Sequence, residues 1–105
     1  MVTSVKIQNM DTLALMGDVT SENVVSIRAE GENLISRITS SGVIDLGGLS
    51  SANTITLSLL LSWLRFAKSR SVVLTVRQAS AKLFDMARVS GLDHILPFEA
   101  EDDLI

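Results

Sequence analysis

The sequence predicts an α/β protein, a mixed β-sheet with helices packed on it, in the order ββαβαβαβ. Three observations lead there. Short apolar runs, several of them rich in β-branched residues, alternate with stretches of helical periodicity, as parallel crossover connections require. The first two runs are joined by a tight turn, so they form a hairpin and make the sheet mixed. The chain has 105 residues, 47% hydrophobic but only 4% aromatic, which suits one domain (1–105) with an aliphatic core.

The elements follow in order. Val5, Ile7 and Asn9 alternate with Lys6 and Gln8, giving a first strand at a sheet edge. Asp11 and Thr12 turn the chain, and residues 13–16 form a second strand ending at Gly17-Asp18. Thr20-Ser21-Glu22-Asn23 reads as a helix start with a hydroxyl cap and an early acid. Val24, Ile27, Gly31, Leu34 and Ile38 then recur at helical spacing, with Arg28, Glu30, Glu32 and Arg37 facing away. Gly31 weakens this helix by about 1 kcal/mol relative to Ala, and a close helix–sheet contact is the simplest reason for it.

Residues 43–46 form the next strand, and a small polar loop, residues 47–54, leads into a long apolar helix over 55–70. That helix has no Gly or Pro and carries Arg65, Lys68 and Arg70 in its last turns, where cations suit the helix dipole. Asn53 or Thr54 is its N-cap. Residues 71–76 read as a strand with both faces covered. Ser80 caps a third helix running through Ser90, with Leu83, Met86 and Ala87 on one face, and Gly91 is its left-handed stop. Ile95-Leu96-Pro97-Phe98 is expected as a last short edge strand, since Pro97 cannot donate into a ladder. Glu101-Asp102-Asp103 is read as a solvated tail.

Composition narrows the function. Without cysteine there is no disulfide, Cys-ligated zinc or thiol catalysis. The net charge of −3 argues against nucleic acid as a partner. The first residues lack the pattern of a signal peptide, and Leu59-Leu60-Leu61, bracketed by Ser58 and Ser62, is too short and too interrupted a run to span a bilayer. The expectation is a cytosolic protein that works beside a membrane without inserting into it. Gly47-Gly48 lacks the lysine and glycine spacing of a phosphate loop and reads as a turn. Asp45 has no histidine, lysine or second carboxylate spaced to work with it, so a hydrogen bond within the loop is its expected role. His94 is a lone histidine and builds neither a metal site nor a triad. No catalytic group, cofactor site or metal site is read from the sequence.

The long helix offers the one unusual surface. At roughly 100° per residue, Ser58, Ser62, Arg65 and Ser69 form a polar stripe with Thr54 at its start. Leu57, Leu60, Leu61, Leu64 and Ala67 make a core arc. Ile55, Leu59 and Phe66 lie on the far shoulder of the stripe, and Trp63 lies between shoulder and core. Either neighbouring helices cover this excess apolar surface, or a protein partner docks on it. The partner-binding residues expected on the second reading are Thr54, Ile55, Ser58, Leu59, Ser62 and Arg65.

Element order and central loop together resemble the STAS domain family over essentially the whole chain. Asp45-Leu46 matches the family's strand end, and Asn53-Thr54 falls where the family places Asp-Ser or Asp-Thr at a helix start. Ala87-Arg88-Val89-Ser90-Gly91-Leu92-Asp93-His94-Ile95-Leu96-Pro97 is similar to its helix, glycine-leucine turn and last strand. The resemblance implies a STAS-like mixed sheet and one of two non-catalytic roles. One is the MlaB-like STAS subunit of the phospholipid-trafficking ABC transporter that maintains outer-membrane lipid asymmetry. It binds the cytoplasmic ATPase within an ATPase–permease–lipid-binding-protein complex at the inner membrane, and the loop threonine contributes to the contact. The other is an anti-sigma-factor antagonist, for which Thr54 is the implied phosphorylation site of a partner kinase that is also the anti-sigma factor. Asn53 in place of the usual Asp, and Ile55-Thr56 in place of a small Gly-containing pair, fit a fixed contact surface better than a kinase substrate. They favour the transporter subunit.

Overall fold

The computed structural model describes residues 3–9 and 11–99. Its elements are β1 (Ser4–Asn9), β2 (Thr12–Met16), α1 (Val24–Ile35), β3 (Ser41–Asp45), α2 (Thr54–Ser69), β4 (Val73–Arg77) and α3 (Ala81–Val89). The sheet order is β1-β2-β3-β4, with β1 antiparallel to β2 and the other pairs parallel. The expected mixed sheet with packed helices is what forms, with β1 at one edge. The acidic residues 101–103 lie outside the described residues.

Strand pleating explains which side chains meet. Register aligns Val5 with Leu15, Leu13 with Ile44 and Val76, and Gly42 with Leu74 on one face, and all are buried. The other face carries Lys6, Ala14, Asp45 and Arg77 in one row, all exposed or half-buried. The sheet therefore has one dominant core face. α1 packs on β1 and α2, and α2 packs on β4 and α3.

Trp63, wholly buried, is the largest core side chain, and its Nε1–H donates to the Arg28 carbonyl of α1 at 3.1 Å. Gly31 faces the same ring, and a Cβ there would overlap the indole atoms of Trp63. The glycine thus serves a close helix–helix approach, not the helix–sheet contact expected from sequence.

The start of α1 also differs. Its N-cap, Asn23, makes no side-chain cap bond. Instead the Thr20 N–H donates to Asn23 Oδ1 (2.9 Å), Asn23 Nδ2 donates to the Asp18 carbonyl (3.0 Å) and the Glu22 N–H donates to Thr20 Oγ1 (3.2 Å). The polar side chains close a turn ahead of the helix, which is the local competition their short chains favour. Ile38 lies past the end of α1, buried in the following turn, where its N–H donates to the Ile35 carbonyl (2.9 Å).

At the far end, Ser80 Oγ accepts from the Leu83 N–H at 3.1 Å, and Gly91 takes φ +74° as the stop after α3. The Leu92 N–H reaches back to the Ala87 carbonyl (2.7 Å) and the Gly91 N–H to that of Arg88 (3.0 Å), the two bonds of a Schellman ending. The expected last strand at 95–98 shrinks to a single parallel bridge, Val76↔Phe98. Ile95 and Leu96 both donate to the Leu92 carbonyl, so they sit in a turn, and Pro97 has no N–H to extend a ladder. The architecture is accordingly ββαβαβα, with that bridge flanking β4.

Candidate functional site: the start of the long helix

The loop between β3 and α2 is held by polar groups packed against the segment after β2. Asp45 Oδ1 accepts from the Gly47 N–H at 2.8 Å, the loop role expected of it, and Gly47-Gly48 is a turn. The Gly17 N–H donates to the Gly48 carbonyl (3.0 Å), and the Ser50 N–H donates back to the Gly17 carbonyl (2.7 Å).

Further along, Ser51 and Thr56 are both buried polar residues, and their hydroxyls lie 3.1 Å apart. Thr56 Oγ1 donates to Asn53 Oδ1 (3.0 Å), so its single proton is used there. Ser51 must then donate to Thr56 Oγ1, while Ser51 Oγ accepts from the Val19 N–H at 3.1 Å. Asn53 is the N-cap, accepting from the Thr56 N–H at 2.8 Å, and its Nδ2 donates to the Val19 carbonyl at 3.1 Å. A carboxylate could not supply that last bond, which gives a physical reason for Asn rather than Asp here.

Thr54 therefore does not cap the helix. It is the first residue of α2, is exposed, and its hydroxyl makes no hydrogen bond among the described residues. Asn53→Ala should lower stability by about 1 kcal/mol or more, since it removes a cap and leaves buried Thr56 without its acceptor. Thr54→Ala should stay within about 0.5 kcal/mol of the parent, as surface substitutions usually do. Urea unfolding of the two variants checks this, and equal losses would mean Thr54 shares the cap.

Of the expected contact residues, Ile55, Ser58, Leu59 and Ser62 line one groove of about 230 Å³ together with Val24, Val25 and Arg28 of α1. Ser58 is exposed, and Ile55 and Ser62 are half-buried. Leu59 is only 1% exposed. It is a core residue under the groove, and its expected place on an open shoulder is corrected. The reason is α1, which packs on that shoulder around Gly31 and Trp63 and so draws Leu59 and Trp63 into the core. Arg65 is exposed but does not line this groove. Leu61 and Leu64, read from the sequence as core, are half-buried on Arg65's side of the helix.

The α1 wall was missed at the sequence level. Val25 is 65% exposed and faces the groove with Arg28. The available signal was an apolar Val25 one turn ahead of Ala29 on the outward side of an amphipathic helix. The groove is an apolar floor with hydroxyls on one wall and a guanidinium on the other. That chemistry suits a protein contact more than bond-making. Among the described residues no three His, Cys, Asp or Glu side chains group to hold a metal ion, and no helix is long and apolar enough to cross a membrane.

The family described as "Mlab, STAS domain" matches residues 4–97. The chain belongs to that STAS family. No curated protein matches this STAS domain in sequence. Among solved structures it is similar to a chain of the Acinetobacter MlaFEDB complex in its ATP-bound Vtrans2 conformation (TM-score 0.80, 24% identity, covering 90% of this chain and 98% of that one). It is also similar to an anti-sigma factor antagonist from Mycobacterium paratuberculosis (TM-score 0.75, 14% identity, 97% and 87% covered). A third likeness is to the unphosphorylated form of the antagonist SpoIIAA, a Bacillus protein (TM-score 0.70, 17% identity, 98% and 92% covered). At these identities the three likenesses establish the STAS fold, and they include both a transporter complex and antagonists.

Proposed function

We propose that this STAS domain is a non-catalytic subunit that binds and supports the cytoplasmic ATPase of an ABC transporter moving phospholipids between inner and outer membrane. It sits at the cytoplasmic side of the inner membrane through that partner. The observation that carries this reading is the match of the Mlab family over residues 4–97. The α1–α2 groove beside exposed Thr54 supports it, because it offers an apolar, preformed contact surface on rigid helices. The contact surface then comprises Thr54, Ile55, Ser58 and Ser62 with Val25 and Arg28, over the buried floor of Leu59, and Arg65 lies beyond it.

The second reading, an anti-sigma-factor antagonist, draws support from one observation. The Thr54 hydroxyl is exposed at a helix start and makes no hydrogen bond among the described residues, and a phosphate there would be electrostatically favoured.

The test is co-purification with the ATPase of the same genome, followed by mass measurement after incubation with ATP. The expected result is a stable complex, raised ATP turnover relative to the ATPase alone, and an unchanged mass for this chain. Thr54→Glu should melt like the parent, because negative charge suits the helix start, yet lose the ATPase from the complex. Stoichiometric phosphorylation of Thr54 by an anti-sigma kinase would replace the transporter reading with the antagonist one. ATP hydrolysis by the isolated chain would end both.

A further inference from the structure

A second groove, of about 460 Å³, runs between the C-terminal half of α2, the start of β4 and the turn after α3. Leu61 and Leu64 form one wall, and Val73 and Ile95 face them, 65% and 60% exposed. These are among the most exposed large aliphatics in the described residues, and they share one groove. Arg65 and Lys68 stand on its rim, both exposed and neither in an ion pair among the described residues. In a chain of net charge −3 this is a local reversal of sign.

The groove is separate from the one beside Thr54. Lys68 lies about 21 Å along the helix axis from Thr54, at ~1.5 Å per residue. The residues of α2 that line the two grooves are centred about 120° apart around it, at ~100° per residue.

We propose that this groove receives an acidic protein segment carrying branched aliphatic side chains. The aliphatics would enter between Val73 and Ile95 and cover surface now open to water. Carboxylates one turn away would meet the Arg65 guanidinium, which can bind both oxygens at once, and the Lys68 ammonium. Charge complementarity selects this occupant over a basic segment. An acidic lipid surface is a poorer fit, because two cations are too few for stable anchoring without a lipid chain or inserted helix. The proposal is independent of which partner occupies the first groove.

The experiment uses the full chain and a fluorescent ten-residue peptide of alternating Glu and Leu, with Lys/Leu and Glu/Ser peptides as controls, read by anisotropy at low and high salt. The expected result is that only the Glu/Leu peptide binds, more weakly at high salt. Arg65→Glu combined with Lys68→Glu should weaken it about tenfold or more. Val73→Asp, at an exposed position, should do the same without lowering the melting temperature. Val25→Asp in the first groove should leave it unchanged.

Equal binding of the Lys/Leu peptide, or no binding by any peptide, overturns the proposal. So does binding that appears only after residues 100–105 are removed, which would make the chain's own end the occupant. Self-association abolished by the Arg65→Glu, Lys68→Glu pair would assign the groove to a second copy. Capture only by phosphatidylglycerol vesicles would assign it to lipid.

Discussion

Leu59→Asp should leave little or no folded protein at 37 °C. The side chain is 1% exposed in the core cluster, so the substitution removes apolar packing and buries a carboxylate in that cluster. The loss should exceed about 4 kcal/mol, a large part of the roughly 5–15 kcal/mol that stabilises a small domain. At about 4–8 °C per kcal/mol for a domain of this size, the melting temperature should fall by about 16 °C or more. Ser58→Asp, one residue earlier on the exposed side of α2, should melt within a few degrees of the parent. The pair separates fold from contact surface: if Leu59→Asp melts like the parent, the α1–α2 packing described above is wrong. Loss of partner binding by Leu59→Asp alone would carry no information about the interface.

Gly31→Ala should also destabilise, against the usual trend for glycine in a helix. Helix propensity alone would favour Ala by about 1 kcal/mol. The new methyl, however, falls on the indole of Trp63, a ring that is wholly buried and cannot swing into solvent. Overpacking of this kind costs about 1–3 kcal/mol, and separating the helices would also stretch the Trp63 Nε1–H bond to the Arg28 carbonyl. A net loss of about 1–2 kcal/mol is expected. Trp63→Phe removes the indole atoms nearest the glycine, so it makes room for the methyl while opening space of its own. The double variant should therefore be more stable than the sum of the two single losses, by about 1 kcal/mol or more. Denaturant unfolding of all four proteins measures the coupling, and strict additivity would show that the two residues do not share this contact.

The fold was largely readable because its signals are local. The hairpin, the three helices, the Ser80 cap and the Gly91 stop each depend on residues within a few positions of one another. Misreadings fell where the chain's own hydrogen bonding competes. Thr20 and Asn23 closed a turn instead of capping α1, and Ile95 and Leu96 joined a turn where a strand over 95–98 was expected. The placement of part of the candidate site was equally legible. Thr54 stands exposed at the start of α2, and Ile55, Ser58 and Ser62 share a groove.

By itself the sequence determined that this is a mixed α/β STAS domain, without cysteine chemistry, whose longest helix is too apolar to be covered by the sheet alone. Periodicity and turn chemistry act over one or two turns of chain, so they survive without knowledge of the neighbours. Only the tertiary structure decided which side of that helix is buried. Helical spacing says which side chains share an arc but not the direction from which another helix will cover it. Gly31 lets α1 close on Trp63, so the buried arc turns toward Leu59 and leaves Leu61 and Leu64 beside Arg65 at a second groove. That choice rests on a contact between residues 31 and 63, too distant in the chain for any local pattern to carry.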